Sequence, residues 1–443
     1  MLLACNLSSP PPPTLMPRAT ATPLPTIGYA TLSPDELPVQ ATALPPSNAV
    51  LLSLLNQVSA EGLMSHVQTL QSLETRHVNS GYTRPGAGVN AARDYISAYF
   101  RELEAQSQGR FRVIPHSFNV EWGDVSSTAE NVVGYLAGRE TGAGVILIGA
   151  HYDTISYAIE DGSAYAPGAN DNGSGIAALM EVARIMALDP QPPRATVLFA
   201  AFSAEEIGRE GSKAFINDYI RAYDLPLLAM INLDIVGSST GADGSINDRV
   251  LRVYSEGPNE PASQSRQLAR ELNLVVSNYM PDFQLEIQDA TDREGRFGDH
   301  MSFSEVGYPA VRFIEPLEEF NRQHTPNDTL DDVQPNYLSR ATQAVLVAAK
   351  VLADGPRAPR NVVVRDNGSG ERSLVWEPAP EAVSYVVALR YPGSLQYNQY
   401  FETSDTNIAS EIFRASLLAS VAIAGRDEDG LLGPLSIEYT LTN

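Results

Sequence analysis

Three runs of aliphatic and β-branched residues, GVILIGAHYDT, ATVLFAAFSAEEIG and LLAMINLDIVG, each stop at a histidine or an acidic side chain. A near-continuous apolar run of this length fits a strand buried on both faces, as in a parallel sheet covered by helices. Helical periodicity surrounds them, in AVLLSLLNQVSAEGLMSHVQTLQSL, VNAARDYISAYFRELEAQ, ASQSRQLARELN and YLSRATQAVLVAAKVLA. Strands alternating with helices predict an α/β fold with a mixed, mostly parallel central sheet flanked by helices. Ligands in open α/β sheets gather outside the carboxyl ends of the strands. His151, Glu206 and Asp234 are therefore expected at one rim, joined by Asp171 in PGANDNGSGIAALMEVARI and His324 in RQHTPNDTLD. Two imidazoles and three carboxylates suit a pair of divalent cations, zinc first.

Around these five, spacing suggests further roles. Residues two apart on an extended segment face one side, so the Asp153 carboxylate is expected on the distal nitrogen of His151, fixing its tautomer. The two oxygens of Asp171 can each take a different ion, and Gly173 and Gly175 are expected to let the backbone turn tightly into the next helix. Glu205 and Glu206 diverge as neighbours, so one can chelate while the other leans over a bound water. His66, His77 and His116 carry no motif and are read as surface or packing residues.

The words GAHYDT, NDNGSG, SAEEIG, NLDIVG and HTPNDTLD, in this order, resemble the M28 family of zinc aminopeptidases between about Ala49 and Ala353. GDHMSFSEVGYPAVRF resembles a further stretch of that family, with Ser203 as a minor departure before AEE. The resemblance implies two zinc ions, held by His151, Asp171, Glu206, Asp234 and His324, with Asp171 bridging. It also implies Glu205 as general base toward a metal-bridging hydroxide, Asp153 as its catalytic support, and Asp299 and His300 behind or along the pocket. The implied activity is release of N-terminal residues from peptides. Three other readings stay open. A carboxypeptidase of the same superfamily would need arginines near the metals, for which Arg293, Arg296 and Arg312 are candidates. A glutaminyl cyclase-like acyltransferase works with one zinc, and a non-catalytic binding module would have lost ligands or base.

Charge and termini bound the partners. A net charge of -23 repels nucleic acid and anionic lipid headgroups. No apolar stretch is long enough to span a bilayer. MLLAC reads like the end of a bacterial lipoprotein signal with Cys5 as the lipid-bearing residue, which implies a cell-surface or secreted, extracytoplasmic protein. Residues 6–47 are Pro, Thr, Ser and Ala with few large apolar residues, so 1–47 is expected as a lipobox-like start and a disordered tether. The peptidase-like domain is expected over 48–355. After the joint GPRAPR, short turn-bounded strands over 356–443 predict a separable β-sandwich. Trp376 and Tyr385 give it a fibronectin type III-like look and are expected in its core.

Overall fold

The computed structural model describes residues 32–37, 48–80, 87–256, 260–292, 298–368 and 370–442. Cys5, Arg293 and Arg296 lie outside them. Helices α1 (Ala49–Leu55), α2 (Ala60–Gln71) and α3 (Gly88–Gln106) lead into strands β1 (Phe111–Trp122), β2 (Val125–Leu136) and β3 (Val145–His151). Then follow α4 (Gly175–Leu188), β4 (Thr196–Phe202), α5 (Glu210–Phe215), β5 (Leu227–Leu233), β6 (Val250–Tyr254) and α6 (Gln264–Tyr279). The domain ends with β7 (Gln284–Ile287), α7 (His300–Ser304), β8 (Ala310–Ile314) and α8 (Pro335–Asp354). Asn48 and Ser59 cap α1 and α2, accepting from the amides of Leu51 and Gly62 at 2.7 and 3.0 Å, which satisfies donors a helix start leaves open.

Eight strands form one mixed sheet in the order β1-β2-β4-β3-β5-β8-β6-β7. The central pairings β4/β3, β3/β5 and β5/β8 are parallel, whereas β1/β2, β2/β4 and β6/β8 are antiparallel. The largely apolar α4 and the helices α1, α2, α3, α6 and α8 share one buried cluster with one face of the sheet. Phe215 of α5 and Phe303 of α7 pack on the other. Because β3 lies between β4 and β5, the segments leaving β3 and β4 diverge and open a crevice at their carboxyl ends. Among the described residues no helix is long and apolar enough to cross a membrane.

The C-terminal region is a two-sheet antiparallel sandwich. Strands β9 (Arg360–Asp366), β10 (Arg372–Glu377), β11 (Ser384–Arg390) and β12 (Gln399–Thr403) are followed by β13 (Asn407–Ser410), β14 (Ser420–Arg426), β15 (Leu432–Leu435) and β16 (Tyr439–Thr440). One sheet runs β13-β10-β9 and the other β12-β11-β14-β15, with β16 also on β14. Trp376 and Tyr385 are both buried, their rings 5.4 Å apart and edge-on. They are core residues.

The sandwich packs onto the peptidase-like domain. Tyr385, Val387, Leu389, Val421 and Ile423 face the sandwich interior. Val386, Ala388, Ala422 and Ala424, which alternate with them, join the main core together with Leu431, Leu432 and Leu435. Strands β11 and β14 are thus buried on both faces, and β15 beside β14 packs against α8 and α6. Polar groups lock the same seam: Arg270 on α6 donates to Glu438 at 3.0 and 3.1 Å, and Tyr279 Oη accepts from the Leu432 amide at 2.8 Å. The backbones touch as well. A Cβ on Gly433 would sit 1.9 Å from the Pro356 carbonyl oxygen.

The tether expectation changes where it can be seen. Leu32 and Leu37 are buried in the sandwich cluster, and Tyr391 and Gln399 hold the Leu32 backbone at 3.2 and 3.0 Å. Two isolated leucines suffice to seat a turn that the surrounding composition would leave loose.

Candidate metal centre

Six side chains converge where β3, β4 and β5 end. His151 is the last residue of β3, Glu205 and Glu206 follow β4, and Asp234 follows β5. Asp171 sits in the loop before α4, with a cis peptide bond to Asn172. His324 comes from the loop before α8. The two oxygens of Asp171 face different imidazoles: Oδ1 lies 3.5 Å from His151 Nε2 and Oδ2 lies 3.3 Å from His324 Nε2. His151 Nε2 is also 3.5 Å from Asp234 Oδ1, and His324 Nε2 is 3.1 Å from Glu206 Oε2. Two donor sets therefore share one carboxylate.

The residues fit divalent cations. Ligand atoms of His151, Asp171 and Glu206 lie within 4.8 Å of one another. Among the described residues, Asp234 Oδ1 and Glu206 Oε1 are buried with no hydrogen-bond donor, which is costly for anionic oxygens unless a cation serves them. His151 Nδ1 lies 3.2 Å from the Asp153 carbonyl oxygen. An imidazole that donates there leaves its Nε2 lone pair turned toward Asp171 and Asp234. The Glu206 carboxylate pushes the His324 pKa up to about 11, so the site is short of positive charge. Burial lifts Glu205 well above the usual carboxylate range, with Asp299, Asp234 and Glu206 adding to the shift and His151 opposing it.

Asp153 does a second job beside the expected one. Its carboxylate stands 3.7 Å from His151 Nδ1 and also accepts from the amides of Glu205 and Glu206 at 3.1 and 3.2 Å. It holds the Glu-Glu turn, and its backbone carbonyl orients the imidazole. The glycine reading is corrected. Gly173 and Gly175 have ordinary backbone angles, and a Cβ on Gly175 would meet Asn172 Oδ1 at 2.3 Å and Leu233 O at 2.7 Å. They are needed for close approach, while Gly168, at φ 54°, makes the left-handed turn.

Asp299 and His300 are both fully buried and neither lines the pocket. Burial moves Asp299 up to about 7, opposed by His151 and Ser212, and His300 shares a 3.3 Å hydrogen bond with the Thr291 carbonyl. His66, His77 and His116 are buried packing residues. Arg312 is committed inward, with Nη2 3.2 Å from Asp234 Oδ2 and its other terminal nitrogen on Asp292.

Several positioning residues gave no local signal in the sequence. Asn172 Nδ2 donates to Leu233 O at 2.8 Å, and its Oδ1 accepts from the Gly175 and Ile235 amides at 3.0 and 3.2 Å. Asn170 accepts from the Gly237 amide at 2.9 Å and donates to Glu315 at 2.8 Å. Asp328 accepts from the amides of Asn170 and Asp171 at 2.7 and 2.9 Å, tying the His324 loop to the Asp171 loop. Arg76, wholly buried, donates to the carbonyls of Tyr152, Pro167 and Gly168 at 2.7, 2.6 and 2.8 Å. Around the centre Ala204, Arg209, Ile235 and His324 all hold a left-handed backbone, with φ from 58° to 64°. Residues in that region cluster at functional sites, and the branched Ile235 is a true outlier.

The family described as "Peptidase family M28" matches residues 131–349. A probable zinc metalloprotease of Pyrenophora tritici-repentis is 32% identical over 363 residues, covering 75% of this chain and 83% of the relative. One from Pyricularia oryzae is 33% identical over 407 residues, covering 81% and 80%. Among solved structures, the LapA aminopeptidase of Legionella pneumophila superposes with a TM-score of 0.54 at 21% identity, over 71% of this chain and 77% of its own. An aminopeptidase from Aneurinibacillus sp. strain AM-1 gives 0.51 at 18%, over 69% and 96%. At these identities the solved structures speak for the fold.

Proposed function

The chain belongs to peptidase family M28 and is a zinc metallopeptidase, and from that premise we propose that it is a two-zinc aminopeptidase. His151, Asp234 and one oxygen of Asp171 would hold one ion, and His324, Glu206 and the other oxygen of Asp171 the second. Zinc bound there supplies Lewis acidity, bringing the pKa of bound water from 15.7 toward about 7 and countering charge on the scissile carbonyl oxygen.

The chain's own groups do the rest. Glu205 takes a proton from the attacking water and returns it to the departing amine, a shuttle that suits a carboxyl whose buried setting raises its proton affinity. Asp153 fixes where Glu205 stands by holding its amide. Arg76, Asn170, Asn172 and Asp328 keep the loops that carry the cluster from drifting apart.

One observation carries the reading: a buried carboxylate, Asp171, divided between two imidazoles that each have a further acidic partner. Support for N-terminal specificity comes from the aminopeptidase structures that share the fold. The test is hydrolysis of aminoacyl-p-nitroanilides beside N-blocked and C-terminal peptide substrates, with and without chelator, together with zinc content by mass spectrometry. Chelator-sensitive release from free-amine substrates alone is expected. Cleavage of the N-blocked series at equal rates would overturn the aminopeptidase assignment.

A further inference from the structure

The catalytic pocket sets three basic side chains among its four acidic ones. Lys and Arg number 30 against 53 Asp and Glu, and Arg209, Lys213 and Arg312 all line a cavity of about 320 Å³ at the carboxylate cluster. Arg312 is bound inward to Asp234 and Asp292. Arg209 and Lys213 are placed differently. They follow the Glu205–Glu206 turn directly, Arg209 just before α5 and Lys213 within it.

Both are aimed without being buried. Arg209 Nη2 lies 3.2 Å from Glu305 Oε1, which steadies the guanidinium at the pocket with its side chain 14% exposed. Lys213 Nζ lies 3.1 Å from Glu210 Oε1 and is 44% exposed. Arg209 keeps a long side chain at φ 64°, ψ 33°, a conformation that favours glycine or asparagine over any bulkier residue. Such an outlier points toward function.

We propose that Arg209 and Lys213 are the specificity cations of this pocket, selecting peptides that carry a carboxylate close to the scissile bond. The inference rests on the peptidase reading above and names its substrate class. The carboxylate has two possible sources, an acidic side chain beside the bond or the α-carboxylate of a short peptide, and the chemistry of recognition is the same. A guanidinium offers a planar fork that matches a carboxylate, and the ammonium adds a second charge. The carboxylates Asp171, Glu205, Glu206 and Asp234 line the same pocket, and Arg209 and Lys213 stand against their repulsion of an anionic substrate. With them the like charge is offset locally, and neutral substrates gain nothing from the same wall.

The experiment compares kcat/KM for Glu- against Gln-p-nitroanilide, for Leu-Glu-amide against Leu-Gln-amide, and for Leu-Leu against Leu-Leu-amide. The zinc-loaded wild type, Arg209→Gln, Arg209→Lys and Lys213→Gln are each assayed. The wild type is expected to prefer the carboxylate member of at least one pair, and the pair identifies the source. Arg209→Gln should reduce that preference ratio by roughly ten- to a hundredfold. Lys213→Gln, being more exposed, should reduce it by about two- to fivefold. Arg209→Lys should recover part of the ratio, because charge returns without the fork. Chelator-sensitive cleavage with no carboxylate preference in the wild type, or a preference unmoved by Arg209→Gln, overturns the specificity proposal alone. No chelator-sensitive cleavage of any substrate overturns both it and the peptidase reading.

Discussion

The Arg76 guanidinium donates to the carbonyl of Tyr152 at 2.7 Å, one residue beyond His151 and across 76 positions of sequence. The same side chain reaches Pro167 and Gly168, just ahead of Asp171. One buried cation thus braces two of the loops that carry the cluster, and nearby Asp328, Asp153, Asp171 and Glu206 keep it charged against the pull of burial. Arg76→Lys should fold yet bind zinc about 10- to 100-fold more weakly, the usual effect of losing support behind a ligand. Arg76→Ala leaves buried carbonyls unpaired and should cost about 3 kcal/mol or more. Competitive chelator titration and thermal melts read the two effects.

Glu205→Gln removes the proton carrier and leaves the five other cluster residues in place. Turnover should fall by roughly 10²- to 10⁴-fold, while zinc content stays at about two per chain, as a paired-ion site holds. Loss of metal in this variant would instead make Glu205 a ligand.

Glu271 on α6 is buried at the seam and accepts from the Leu435 amide at 3.2 Å. Burial pushes its pKa up to about 8, against roughly 4.3 in an unfolded chain. The folded state therefore holds the proton more tightly, and stability falls as pH rises between those two values. Glu271→Gln keeps the acceptor and cannot ionise. Its melting temperature should exceed that of the wild type at pH 8.5 and nearly match it at pH 4. Melting curves across that range, showing the same slope for both proteins, would contradict the assignment.

Truncation after Gly355 uncovers the apolar flank of α6 and α8 and removes Glu438 and the Leu435 amide, the partners of Arg270 and Glu271. The shortened chain should aggregate or melt well below the full protein, which itself should show a single transition by calorimetry. A soluble, fully active product ending at Gly355 would mean that the shared core contributes little.

Much of the architecture was legible because buried parallel strands announce themselves as unbroken apolar runs, and His151, Glu206 and Asp234 mark where those runs stop. The roles behind them were not legible. Asp153, beside its expected place near His151, also holds two amides of another loop. Asn170, Asn172, Asp328 and Arg76 act on backbone atoms up to 158 residues away, and no local period reports such pairings. The docking of the sandwich was written in SYVVALR and SVAIAGR, whose continuous hydrophobicity signals strands covered on both sides. Strands β12 and β13, QYFET and NIAS, were too short and polar to stand out.

The turn at Leu32 and Leu37 has a mechanical consequence. A pull on the polypeptide upstream of it is borne first by Tyr391, Gln399 and the sandwich interior, on the far side of the molecule's seam. The helix that opens the peptidase domain and the loops around Asp171 lie downstream of that clasp. Residues 32–37 thereby fix this part of the chain to the sandwich interior ahead of the peptidase domain.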